Sequence, residues 1–238
     1  MPAAGAGPTS AGPPPGDAPP EPRQRWRIVF RRTAAAASLP HREAVEAIED
    51  RLLGSPLPVL REARRGGRPR LAFGAPLPLG MIVDRELLDA WLLVRWPIGD
   101  VRAALSTALP PGYELADLYD VWLGAPALPA SVSGAEYSVI LADPIDVPAL
   151  RQGVSRLLAT DRLPRERAKG CGTVSYDLRP LLAGLEVGPS GELRIQVRFD
   201  PVRGSGRPEE VVAALAEVTG HSLGIAETRR ARLIVEGT

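Results

Sequence analysis

Between Arg25 and Arg32 the chain alternates with period two. Trp26, Ile28 and Phe30 fall on one side and Arg25, Arg27 and Arg31 on the other, which predicts a half-buried strand. From His41 to Leu53 the apolar positions Ala44, Val45, Ile48 and Leu52 take helical spacing, and Gly54 and Pro56 stop the run. Leu71-Ala72-Phe73 predicts a short strand. Glu86 to Trp96 predicts a longer one limited by Pro97, and Asp100 to Ala108 a helix with Val101, Ala104, Leu105 and Ala108 on one face. Pro110-Pro111-Gly112 ends that helix, and Tyr113 to Leu123 reads as a strand.

After a linker-like stretch, Ala125 to Gly134, the same order recurs. Glu136 to Leu141 predicts a strand, and Val147 to Ala159 a helix carrying Leu150, Val154, Leu157 and Leu158. A long irregular stretch holds a strand at Thr173–Leu178 and a helical turn near Pro180–Leu185. Glu192 to Phe199 alternates cleanly. Pro208 opens a helix with Glu209 and Glu210 in its first turn, Gly220 closes it, and Leu223 to Val235 supplies the last strand. Two β-α-β-β-α-β runs imply an α+β protein of tandem ferredoxin-like domains, at 23–124 and 135–238, joined by a linker at 125–134. Each domain is expected to form its own antiparallel sheet, two sheets in all, with helices packed on one face.

Composition changes this picture only locally. The first 22 residues hold eight prolines and four glycines without periodicity, and are read as a disordered Pro/Gly-rich tail rather than a signal peptide. No run of about 18 apolar residues occurs, so no transmembrane helix and no membrane partner are expected, and a cytoplasmic location follows by default. A single cysteine, Cys171, excludes an internal disulfide and any multi-cysteine metal or iron–sulfur site. With only His41 and His221 besides, neither a metal nor a cofactor is expected. The net charge of +1 means that any anion site must be local.

Such a site is suggested between Arg61 and Arg70, where five arginines (Arg61, Arg64, Arg65, Arg68, Arg70) are broken by Gly66-Gly67 and Pro69. Guanidinium groups on a flexible loop suit phosphate or an acidic partner, so Arg64, Arg65, Arg68 and Arg70 are the candidate anion-binding residues; a solvated loop is the plain alternative. No aromatic residue interleaves them, which argues against base stacking there.

The run His41…Glu43…Leu57-Pro58…Arg68-Pro69-Arg70-Leu71-Ala72-Phe73-Gly74…Leu77-Pro78-Leu79-Gly80…Glu86…Asp89 resembles the uncharacterised radical-SAM-linked bacterial family. The similarity continues through Leu109-Pro110-Pro111-Gly112, Glu136-Tyr137, Asp177-Leu178-Arg179-Pro180 and Arg207-Pro208-Glu209-Glu210. It implies an accessory role beside a separate radical SAM protein, with RNA as a candidate ligand, and marks Glu43, Pro69, Phe73, Gly80, Glu86, Asp89, Asp177 and Arg179 as motif positions. The chain departs from the family at Pro40, where a serine is usual, and at Arg64-Arg65-Gly66-Gly67, where Gly-Phe-Asn-Pro is usual. It departs again at Ile225-Ala226-Glu227-Thr228, where a His and an Arg are lost.

His41 is the one weak catalytic candidate. It is either an ordinary helix-start histidine or a general base near an anion at the helix N-terminus. Glu86 and Asp89, three apart on an extended chain, point to opposite faces and make a poor acid/base pair. Asp177-Leu178-Arg179-Pro180 reads as a salt-bridged turn. No phosphate loop, nucleophile elbow or metal-binding helix occurs. The leading reading is therefore a non-catalytic binding module. The second is a metal-independent endoribonuclease of tandem ferredoxin-like architecture, and the third a scaffold with an acidic ligand in its inter-domain cleft.

Overall fold

The computed structural model describes residues 20–169 and 172–236; the tail up to residue 19 and Cys171 lie outside them. The first unit comprises β1 (Gln24–Arg32), α1 (Ala34–Ala37), α2 (His41–Leu53), β2 (Arg61–Glu62), β3 (Arg68–Pro69), β4 (Leu71–Phe73), β5 (Ile82–Leu92), α3 (Ile98–Ala108) and β6 (Tyr113–Val121). The second comprises α4 (Leu128–Ser131), β7 (Val132–Leu141), α5 (Val147–Leu158), β8 (Pro164–Lys169), β9 (Gly172–Asp177), β10 (Leu182–Val187), β11 (Leu193–Asp200), β12 (Gly204–Ser205), α6 (Pro208–Thr219) and β13 (Ile225–Val235). Among the described residues no helix is long and apolar enough to cross a membrane.

The protein is α+β, built on a nine-stranded mixed sheet and two small two-stranded sheets, and this corrects the expectation of two separate antiparallel sheets. The main path runs β10-β11-β7-β13-β5-β1-β6, with β4 on β5 and β12 on β11. The two halves join where β13 pairs parallel to β5, Arg229 opposite Ile82 and Arg230 opposite Val83. Strand lengths explain the fusion. β5 has 11 residues, and the three-residue β4 covers only Leu88 to Ala90 on that edge. The uncovered N-terminal end of β5 would leave backbone donors and acceptors unpaired, and β13 satisfies them. Gly74 lies at this joint: a Cβ there would come within 2.6 Å of Leu233 Cδ1 and 3.4 Å of Leu87 Cβ.

Each half has its own core. Trp26, Ile28 and Phe30 of β1 pack with Ile48 and Leu52 of α2 and Leu105 of α3, as the alternation predicts. Val139, Ile195 and Val197 pack with Leu150 and Leu157 of α5 and Leu215 of α6. The other face of β1 departs from expectation. Arg25 and Arg27, read as solvent-facing, are 1% and 6% exposed. Both pair with Asp89 on β5, at 2.6 and 2.7 Å, and Arg25 donates to the carbonyls of Ala125 and Pro126. The segment read as a linker therefore lies along this face and buries Leu128.

Several boundaries also move. β5 begins at Ile82, four residues before the expected Glu86, and β7 begins at Val132. The irregular stretch contains the β8–β9 ribbon, and the helical turn shrinks to Arg179–Leu181, followed directly by β10.

Candidate functional site

At the joint, one row of register partners crosses five strands: Tyr137 on β7, Arg230 on β13, Val83 on β5, Arg32 on β1 and Tyr113 on β6. Glu86, three residues further along β5, meets Arg230 in a short ion pair, with side chains 0% and 3% exposed. Arg230 contacts this carboxylate, while Arg32 lies within its field and gives its hydrogen bonds to loop carbonyls. Burial pushes the Glu86 carboxyl above the usual range against the pull of Arg230, the Leu87 N–H and Arg32. It also pushes the Arg32 guanidinium down and the Tyr113 phenol up.

The cluster holds a loop. Arg32 Nη2 donates to the carbonyls of Pro78 (a short contact) and Met81 (2.6 Å), and Arg230 Nη1 donates to Pro76 O at 3.2 Å. Leu77 N donates to His41 Nδ1 at 3.2 Å, and Gly80 N, at φ +73°, donates to Ala37 O at 2.8 Å. The prolines remove donors that the loop would otherwise have to satisfy, and their carbonyls accept from the arginines. Among the described residues Arg32 Nε and Nη1, Arg230 Nε and the Tyr113 hydroxyl make no well-formed hydrogen bond, although Tyr113 lies against Arg32 and Tyr137 against Arg230.

This loop forms one wall of a 770 Å³ groove between the units. Arg230 and Tyr137 line it on the sheet side, and the opposite wall carries Gly206, Arg207, Pro208 and Glu209 at the N-terminus of α6, together with Asp200 and Ser205. Arg207 gives that helix no side-chain cap. Asp200 accepts from Val202 N and Arg203 N, both at 2.8 Å, which hold its carboxyl below the usual range. The rim is therefore mixed in charge, while the buried cluster behind Arg230 carries one more cation than anion.

His41 sits at the start of α2, edge-on to Phe73 at 5.4 Å, and its Nδ1 is occupied as an acceptor. The neutral ring supports the loop, and burial first, then Arg230 and Arg32, lower its proton affinity. Phe73 also meets Phe30 edge-on at 6.3 Å.

The candidate anion-binding arginines occupy a different place. Residues 61–70 form a small hairpin of β2, a 3₁₀ turn at Ala63–Arg65 and β3, in which Gly66 and Gly67 take positive φ. Arg65 pairs with Glu49 at 2.8 Å and approaches Glu62, while Arg68 makes a short contact with Asp50 and reaches Glu49 at 3.7 Å. Arg70 lies over the Trp91 ring at 4.6 Å with Glu62 at 3.9 Å; Arg64 is exposed and Pro69 buried. None of them lines the groove.

Other motif positions have local roles. Asp177 Oδ1 accepts from Leu163 N (2.8 Å) and Arg179 N (3.0 Å), which outweigh burial and lower its pKa. Arg179 donates to the carbonyls of Leu158 and Thr160 at the end of α5, both at 3.1 Å. Glu43 is an exposed first-turn carboxylate of α2. Ser38 is the C-cap of α1, and α2 has Pro40 at its N-cap and no side-chain cap.

The structure thus brings together Glu86, Gly80, Phe73 and His41 with the Gly74, Leu77-Pro78, Tyr137 and Arg207-Pro208-Glu209 motif segments, and keeps the arginine hairpin and the Asp177–Arg179 turn apart from them. Sequence reasoning missed Arg32, Tyr113 and Arg230. The last strand carries three arginines, Arg229, Arg230 and Arg232, and nothing local distinguishes the buried one from the other two.

Fold and groove together define an α+β protein whose two units share one sheet and a charged cleft. Residues 25–212 match the family described as uncharacterised proteins conserved in bacteria (DUF2344), and the chain belongs to that family. No curated protein matches it. Among solved structures it is similar to a Cbf5–Nop10–Gar1 complex, at 12% identity and TM-score 0.47, over 87% of this chain and 49% of that one. It is also similar to the archaeal box H/ACA sRNP Nop10–Cbf5 complex, at 13% identity and TM-score 0.44, over 87% and 48%. The chain spans about half the length of these structures.

Proposed function

We propose that the protein is a non-catalytic, cytoplasmic binding module that takes an anionic ligand, RNA in the first instance, in the groove between its units, and that it serves a separate radical SAM enzyme. The element order β-α-β-β-α-β in each half, with strand orders β4-β5-β1-β6 and β10-β11-β7-β13, supports reading each half as a ferredoxin-like unit. The radical SAM partner rests on the sequence resemblance alone.

One observation carries the ligand reading: at the joint two buried arginines, Arg230 in contact and Arg32 nearby, face the single carboxylate of Glu86, and Arg230 lines the groove. An uncompensated buried charge is costly, and a phosphodiester in the groove would offset it. The N-terminus of α6 favours the same sign of ligand charge. The rim carboxylates Asp200 and Glu209 can then accept from ribose hydroxyls and base amino groups, which a bare inorganic anion lacks. His41, with Nδ1 turned to Leu77 N, supports a binding role over RNA cleavage.

The test is fluorescence anisotropy of a labelled single-stranded RNA titrated with the full chain between 50 and 200 mM salt. Affinity should fall steeply with salt, and Arg207→Ala should reduce the slope by about one counterion. Retention of an acidic polypeptide in preference to RNA, or a slope unmoved by Arg207→Ala, would sink the reading.

A further inference from the structure

The β8–β9 ribbon stands outside the main sheet, and among the described residues β9 pairs only with β8. Its base is fixed: Leu178 N donates to Leu163 O at 2.8 Å, and Arg165 pairs with Glu217 at 3.0 Å. The two strands treat their edges differently. β8 reads Pro-Arg-Glu-Arg-Ala-Lys, a proline and charges that discourage a further strand. β9 reads Gly-Thr-Val-Ser-Tyr-Asp, uncharged up to Asp177, without proline and with two β-branched residues, and its first four residues are exposed.

Beside β9 lies a second groove, of 680 Å³. Four consecutive β9 residues, Val174 to Asp177, line it. Consecutive residues alternate between faces, so the groove follows the strand's edge rather than one face. Its other wall carries Arg179, Arg198 and Arg203, with Val202 93% exposed. The acidic groups near these arginines are Asp161 and Asp177, with Asp177 already engaged by two backbone N–H groups. Asp200 lies beside Arg203 and Glu210 beside Tyr176, while Arg167 and Arg207 add two more guanidinium groups around Tyr176. An open strand edge, exposed apolar side chains on either side and a surplus of guanidinium groups describe a receptor for an extended chain of negative charge.

We infer that β9 is a docking edge that takes an extended acidic segment of a partner protein as a third strand, its backbone on β9 and its carboxylates against Arg198 and Arg203. Backbone hydrogen bonds supply affinity and the arginines select the charge. This site is independent of the inter-unit groove and stands or falls without it.

The probe is a ten-residue peptide alternating Val or Thr with Glu, titrated calorimetrically into the full chain, with its Lys-for-Glu counterpart as control. Amide hydrogen exchange over residues 172–177 is read alongside. Expected are binding of the acidic peptide alone, protection of β9 amides, and about a tenfold loss of affinity in Arg203→Glu, an exposed position whose change leaves the circular dichroism spectrum intact. Equal binding of both peptides, no protection in β9, or protection of these amides by single-stranded RNA instead of the acidic peptide would each overturn the inference.

Discussion

Arg65 and Arg68 reach from solvent to Glu49 and Asp50, whereas Arg230 meets Glu86 in the interior with Arg32 close by. Both groups are arginine-rich, yet they differ in what water does for them. On the hairpin the guanidinium groups are well exposed, so solvent screens them even where their partner Glu49 is buried, and the carboxylates of α2 and Glu62 already balance Arg65, Arg68 and Arg70. Such pairs contribute about 0–1 kcal/mol each. At the joint no solvent compensates, so the count of charges matters, and there it leaves one cation over. Density of arginine along a chain therefore says little about where an anion is wanted; the balance of buried charge says more.

The strongest way to break this comparison is Glu86→Gln. It leaves both guanidinium groups without a carboxylate and should cost about 3–5 kcal/mol in urea unfolding at neutral pH. Inorganic phosphate should restore part of that loss in Glu86→Gln and less in the parent, because the variant has a larger charge surplus to offset. A loss under about 1 kcal/mol would mean that the joint is not held electrostatically.

The hairpin sharpens the comparison from the other side. Glu49→Gln keeps the shape of a buried side chain and removes the charge facing Arg65 and Arg68, and should cost about 1–2 kcal/mol by the same measurement. Arg64→Ala, at an exposed position, should stay within about 0.5 kcal/mol. If Glu49→Gln cost as much as Glu86→Gln, the contrast between screened and unscreened arginines would fail.

How far the sequence showed this in advance depends on the range of the interactions. Local signals worked: α2, α5 and α6 lie where apolar spacing, Gly54 and Gly220 place them, and β1 and β11 follow their alternation. Long-range pairing did not show. Arg25 and Arg27 alternate with apolar residues just as a solvent-facing row would, and what buries them is Asp89, 64 and 62 positions away. The Glu86–Arg230 pair spans 144 positions, and the fusion of the two sheets depends on β4 being too short to cover the edge of β5. β8 escaped notice because its sequence, Pro-Arg-Glu-Arg-Ala-Lys, offers no apolar alternation to mark a strand. Glu86 was flagged by resemblance, but its role needed the register of β13.

The smallest effect tests the joint without altering its charges at neutral pH. His41 resists protonation in the folded protein because of burial, Arg230 and Arg32, while an unfolded histidine takes up a proton near pH ~6.5. The unfolded state thus binds more protons just below that value, so stability should fall as pH drops through ~6.5 and level off below the lowered folded pKa. Protonating Nδ1 would also break the bond from Leu77 N and set a third cation beside two arginines. One proton changes stability by at most about 1.4 kcal/mol per pH unit, and the partly exposed ring should give less. Glu86, whose pKa is raised, contributes with the opposite sign in the same direction of pH change, so the informative quantity is a difference. Urea unfolding from pH 7.5 to 5.5 should show a slope in the parent that is flatter in His41→Asn, which keeps an acceptor for Leu77 N but does not titrate. Parallel slopes would place His41 outside the field of the two joint arginines and leave the loop clasp as its whole role.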